Sequence, residues 1–294
     1  MRNTAHAAWR LPPPGSACLR ILAKVGGLRY PGCVWSALPL LLLLSAPDPG
    51  EPIAPVPLPR GVEVAPWDGL EVSECKERLL AAGLTGRDFR FSKSTWVSTK
   101  KVWGSDPIHC HVPQATIIWT GPTGVRYNGY TNTTCGMALA MSRMERIVQE
   151  EARRVFGHPE TVNPVLWISH MGTYNCRTLR FKTKQSQHSF GNGLDLAGFW
   201  VRGFGVIEVK RHWNPIYKSW ERPSEFLKAV SRRLRDEAVF TNVLDPDSDP
   251  GHWNHIHVDL APTSDGEPSP ALEKVREMPR TLAGEPRVED DARP

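Results

Sequence analysis

The chain has 294 residues, 23% of them charged, and a formal net charge of +5. That mild positive balance is far from the basic stripe of a nucleic-acid binder, so no nucleic-acid partner is expected. With 40% hydrophobic residues and no internal repeat, one domain with a substantial core is expected, flanked by extensions at both ends. The first of these is a leader. Cys33–Ala46 is an apolar stretch preceded by Arg20, Lys24 and Arg29, too short to cross a membrane comfortably and about the length of a signal-peptide core. Residues 1–46 are therefore read as a leader with a signal peptide or an N-terminal anchor, with no clear Ala-x-Ala site to choose between them. A membrane is expected as a partner only through that anchor, and the protein is expected to be periplasmic or secreted. Residues 47–66 carry seven prolines and read as an extended linker.

The cysteines agree with export. Cys18 and Cys33 fall in the leader, leaving Cys75, Cys110, Cys135 and Cys176, an even number suited to two disulfides in an oxidising compartment. Counting alone leaves three pairings open. A four-cysteine zinc site is disfavoured because no Cys-x-x-Cys pair exists.

Residues 67–262 read as an α+β domain, a small, largely antiparallel sheet flanked by helices. In chain order, Ala115–Thr120 is the first strand candidate. Thr134 is a plausible N-cap for a long helix in which Met137, Met141, Met144, Val148 and Val155 recur at helical spacing until Gly157 stops the run. Its methionines are read as core. Strands follow at Val165–Met171 and Asp195–Val209, the latter bent at Gly203 or Gly205. A second helix covers Pro223–Phe240 with Phe226, Leu227, Val230 and Leu234 as its buried stripe, and a last strand covers Asn254–Ala261. Residues 263–294 read mostly as a disordered tail, with a short helix near Ala271–Met278. Of eleven tryptophans, Trp167, Trp200, Trp213, Trp220 and Trp253 lie in this second half; they are read mostly as packing, with a groove for a peptide or sugar as the alternative for Trp253.

Two short segments carry the chemistry. On a strand, His255, His257 and Asp259 would share one face, because side chains alternate. Upstream, His188 and Asp195 are separated by seven residues, too far apart on a helix to share an ion, but Gly191 and Gly193 favour a tight turn that brings the two side chains together. Four histidines and their carboxylate neighbours gathered this way suit Zn²⁺ with one open coordination position. Each fragment alone is more simply a surface or structural histidine; the conjunction carries the metal reading. Asp259 is read as orienting a ligand imidazole or as a backbone-bonding strand end, and His252 as a supporting partner or an exposed loop residue.

The pattern Ser186-x-His188-x-x-Gly191-x-Gly193-x-Asp195 with the later His255-x-His257 is similar to the zinc signature of the D-Ala-D-Ala carboxypeptidase, lysostaphin and hedgehog-like superfamily. Together with Tyr174–Arg177, Ala197–Phe199, Val209–Trp213 and His252–His257, it resembles the bacterial extensin-like protein family over roughly residues 70 to 261. Gln187 stands where that family more often has Glu, and Gly193 where it usually has Ala. The resemblance implies His188, Asp195 and His257 as zinc ligands and His255 as the catalytic residue contacting the zinc-bound water or substrate. It implies substrate binding by Arg177, as a carboxylate clamp, and by Ser186, and disulfides Cys75–Cys110 and Cys135–Cys176. It also implies a hedgehog or carboxypeptidase-like zinc domain. The expected activity is hydrolysis of an amide bond in peptidoglycan stem peptides, with a non-catalytic zinc-stabilised binding module of the cell envelope as the alternative.

Overall fold

The computed structural model describes residues 72–280 apart from 94–95, 103–105, 113, 180–181 and 265. The leader and linker readings for 1–66 and the end of the tail lie outside these residues. The fold is α+β. Among the described residues ten strands and five α-helices run α1 (Val72–Ala81), β1 (Phe89–Phe91), β2 (Trp96–Lys100), β3 (Ile108–Val112), β4 (Thr116–Thr120), β5 (Arg126–Thr133), α2 (Cys135–Phe156) and β6 (Val165–His170). They continue with β7 (Gly193–Val201), β8 (Gly205–Glu208), α3 (Val209–His212), α4 (Glu221–Asp236), β9 (Asn242–Leu244), β10 (Ile256–Asp259) and α5 (Pro270–Arg276).

Eight strands form one sheet in the order β1-β4-β5-β6-β7-β10-β9, with β8 also paired to β7, so the sheet is larger than the small one expected. All its ladders are antiparallel except β5 with β6. β2 and β3 make a separate hairpin-like pair. No helix among the described residues is long and apolar enough to cross a membrane.

Local sequence accounts for the two long helices. The Thr134 hydroxyl accepts from Met137 N–H at 3.2 Å, capping α2, and Gly157 ends it in the left-handed conformation. Met137, Met141, Met144 and Val148 are buried, as their spacing predicts. In α4 the stripe Phe226, Leu227, Val230 and Leu234 is fully buried against α2 and the sheet. That helix starts two residues earlier and stops sooner than predicted, since Ala238 turns to φ 44°.

One face of β7 supplies Leu194, Leu196, Phe199 and Val201 to the core, while Asp195, Ala197 and Trp200 face away from it. The predicted bend becomes a hairpin: β7 turns at Gly203 into β8. The core also continues beyond residue 262. α5 forms where the short helix was expected and buries Ala271, Leu272 and Val275, and Arg78 Nη1 donates to the carbonyl of Arg276 at 2.6 Å.

The disulfide pairing differs from the expectation. Cys75 joins Cys135 and Cys110 joins Cys176, replacing Cys75–Cys110 and Cys135–Cys176. The reason is packing: α1 lies against α2, whose first residue is Cys135, while β3 brings Cys110 to the loop that follows β6.

Candidate metal centre

The site is built on the face of β7 and β10 that points away from the main core. Ser186, buried, accepts from His188 N–H at 3.4 Å and starts a single 3₁₀ turn, Gln187–Phe190. Gly191 closes it with φ 65°, a conformation that Gly adopts without steric cost. The chain then enters β7, where antiparallel pairing sets Asp195 opposite His257 of β10. Directly opposed residues share a face, so the sheet itself aligns the two side chains. The 3₁₀ turn swings His188 over them.

Three donor atoms converge. His188 Nε2 lies 3.1 Å from Asp195 Oδ1 and 3.2 Å from His257 Nδ1, and His257 Nδ1 lies 2.8 Å from Asp195 Oδ1. One atom from each residue fits within a 4.8 Å span. Zn²⁺ bonds of about 2.0–2.1 Å in a tetrahedron put neighbouring donors about 3.3 Å apart, so this triangle is close to what such an ion requires. The donor set of two imidazoles and a carboxylate is also what a zinc ion that keeps an open position takes.

The far side of each ring is held as well. His188 Nδ1 sits 3.0 Å from the carbonyl of Thr173, and His257 Nε2 sits 2.9 Å from Asp259 Oδ2. These contacts leave the inward nitrogens for an ion and fix the ring planes. Asp259 is in turn gripped by Asn242 Nδ2 and Ala261 N–H. Burial opposes charge on His257, but the flanking Asp195 and Asp259 carboxylates outweigh it and push its pKa up to about 9. Burial of Asp195 works the other way from its hydrogen bonds to His188 and His257, which prevail and hold it well below the carboxylate range.

His255 precedes β10 rather than lying within it, yet its Nε2 stands 3.5 Å from Asp195 Oδ1. Burial pushes this imidazole below its ordinary value and so favours the neutral ring. His252 is ordered by Asp249, whose Oδ2 is 2.7 Å from His252 Nδ1, and its ring lies 5.1 Å from that of His255 and 5.9 Å from that of His257. The Thr173 carbonyl and Asp249 carry no signal in the sequence.

Arg177 is half-buried, and its carbonyl accepts from Ser186 N–H at 3.0 Å at the base of a loop closed by the Thr178–Gln185 bridge. Ser186 contributes through its cap on His188. Among the tryptophans, Trp213 is buried and Trp220 half-buried, whereas Trp167, Trp200 and Trp253 are exposed.

These features define an α+β protein with a largely buried His–Asp–His group able to hold a metal ion at its sheet. The family described as "Extensin-like protein C-terminus" matches residues 89–267, and the chain belongs to that family. No curated protein and no solved structure matches it.

Proposed function

We propose that this protein is a zinc-dependent hydrolase that cleaves an amide bond in peptidoglycan stem peptides, a peptidase of the D-Ala-D-Ala carboxypeptidase or endopeptidase kind, related to the lysostaphin and hedgehog-like domains. The observation that carries this reading is the convergence of His188 Nε2, Asp195 Oδ1 and His257 Nδ1 with His255 beside them. Bound Zn²⁺ supplies Lewis acidity that polarises a carbonyl and acidifies water. His255, kept neutral by burial, takes the proton of the attacking water and returns it to the leaving amine. Arg177 is assigned to a substrate carboxylate, for which a planar guanidinium is suited. Thr173 and Asp259 keep the two ligand rings in place. The two disulfides support an oxidising compartment, periplasmic or secreted.

A non-catalytic zinc-stabilised envelope-binding module is the second reading. It is favoured by the metal-type group itself, which contains no Glu to act as a general base. The deciding experiment is digestion of purified peptidoglycan and synthetic stem peptides with the zinc-loaded protein, followed by mass spectrometry for new amines or released D-alanine. Cleavage that His255→Ala lowers by roughly 10²-fold or more, with zinc retained, is the expected result. A fully metallated protein that binds the polymer and cleaves nothing in a broad panel would leave the binding module.

A further inference from the structure

The sheet face that bears the metal centre continues along β7 into a second feature. Beyond Asp195, the outward positions of β7 are Ala197, Gly198 and Trp200, because the ladder with β6 shifts register between Ser169 and His170. Their neighbours on either side are Trp167 and Ser169 of β6 and Val206 and Glu208 of β8. Together they line one groove. Trp167 pairs across the strands with Trp200, and Trp200 with Val206. These three are 36%, 47% and 64% exposed, a contiguous apolar surface of the kind that marks a binding site. Ile256 pairs with Leu196, the residue before Ala197, and His255, just ahead of that pair, reaches Asp195 Oδ1 at 3.5 Å, so the metal group adjoins the groove end at Ala197.

At about 3.3 Å per residue, Trp200 lies roughly 16 Å along the strand from Asp195. A ligand that reaches both is therefore long and extended. The groove floor at Gly198 is bare backbone, since a Cβ there would stand 2.3 Å from the Ile207 carbonyl. Among the described residues no basic side chain lines the groove, which disfavours a carboxylate or phosphate. Its one carboxylate, Glu208, lies 3.4 Å from Lys210 Nζ at the rim. Exposed indole side chains with Ser169 and Glu208 beside them match a molecule with apolar faces and a polar edge. A pyranose ring has that form: its C–H faces pack on indole, and its hydroxyl and acetamido groups donate outward to a carboxylate or hydroxyl.

Resting on the hydrolase reading above, we propose that this groove is a saccharide subsite, so that the peptide presented to the metal centre is still joined to a chain of N-acetylated amino sugars. The full chain, with zinc and after chelation, would be titrated with peptide-free peptidoglycan glycan strands and with the N-acetylglucosamine tetramer, read by calorimetry and tryptophan fluorescence. Both glycans should bind with or without the metal. Trp200→Ala and Trp167→Ala should each weaken binding about tenfold or more, as for loss of an aromatic anchor, while Trp200→Phe keeps most of it and all three keep the wild-type melting temperature. Glycan affinity unchanged by both alanine variants, or absent while a short apolar peptide binds at these tryptophans, overturns the proposal. Amide cleavage separates the two readings. A protein that binds glycan but cleaves nothing loses only the hydrolase reading, and one that cleaves free and glycan-linked stem peptides equally well loses only the saccharide subsite.

Discussion

Asp259 accepts from Nε2 of His257 at 2.9 Å, on the opposite side of the ring from Asp195, and so decides which nitrogen of His257 turns inward. The two residues are neighbours on one strand face, two positions apart on β10, which makes the contact a product of strand alternation. Asp259→Asn keeps the shape but weakens the acceptor. Zinc affinity in that variant should fall by about 10- to 100-fold, whereas His257→Ala should lose the ion under mild chelation. Competition with a chromogenic chelator measures both, and wild-type affinity in Asp259→Asn would remove Asp259 from this role.

The same ring sets a pH dependence. In the metal-free protein the pKa of His257 rises from 6.5 to about 9, so its contribution to stability is complete below pH 6.5 and is lost as the pH climbs through 9. An ion needs the neutral ring and must displace that proton, so zinc affinity should rise over the same interval. Thermal melts across it should show the chelated protein losing stability while the increment given by zinc grows. A chelated protein that gains stability over this window would contradict the assignment.

Glu145 supplies a second titration inside the core. Burial raises its pKa to about 7 against the hydrogen bonds from Tyr127 and Thr123. A raised carboxyl contributes most below its ordinary 4.5, and that contribution is lost as the pH rises through 7. Glu145→Gln should flatten this part of the curve, a difference of roughly 3 kcal/mol or less between pH 4.5 and 8. Urea midpoints of both proteins at the two pH values test it, and parallel curves would refute it.

Peptide mapping under non-reducing conditions should recover Cys75 linked to Cys135 and Cys110 linked to Cys176. The bonds close segments of 60 and 66 residues, worth roughly 4 kcal/mol each in the chain-entropy model, so reduction should lower the melting temperature markedly. Recovery of any other pairing from the native protein contradicts the fold.

The metal group was legible because it rests on short-range rules. Glycine turn chemistry was enough to bring His188 to Asp195, and strand alternation to put His257 and Asp259 on one face. The joining of the two segments into one ligand set came from the family resemblance, and the 3.6-residue period located α2 and α4. What stayed hidden depends on which elements meet. Cys75 finds Cys135 because α1 packs against α2, and nothing within either segment encodes that contact. β5 was missed because Gly129 and two asparagines break its strand signal, although it pairs with both β4 and β6. Thr173 acts through its backbone carbonyl, a group that every residue carries. The exposure of Trp167 and Trp200 follows from the bulged register at Ser169, which composition does not reveal.

The carbonyl that steadies His188 belongs to a loop with its own fastening. Thr173 lies three residues before Cys176, and the β2–β3 pair holds this stretch through the Cys110–Cys176 bond, through Gln185 Nε2 donating to the carbonyl of His109 at 2.8 Å, and through Ser98 and Tyr174 hydroxyls 2.8 Å apart. The ion site thus inherits a dependence on the redox state of its surroundings even though no sulfur belongs to the metal group. Chain made under reducing conditions would keep all three donor side chains while losing the covalent tie of the loop that orients one of them. It should bind a metal ion more weakly until the Cys110–Cys176 bond forms.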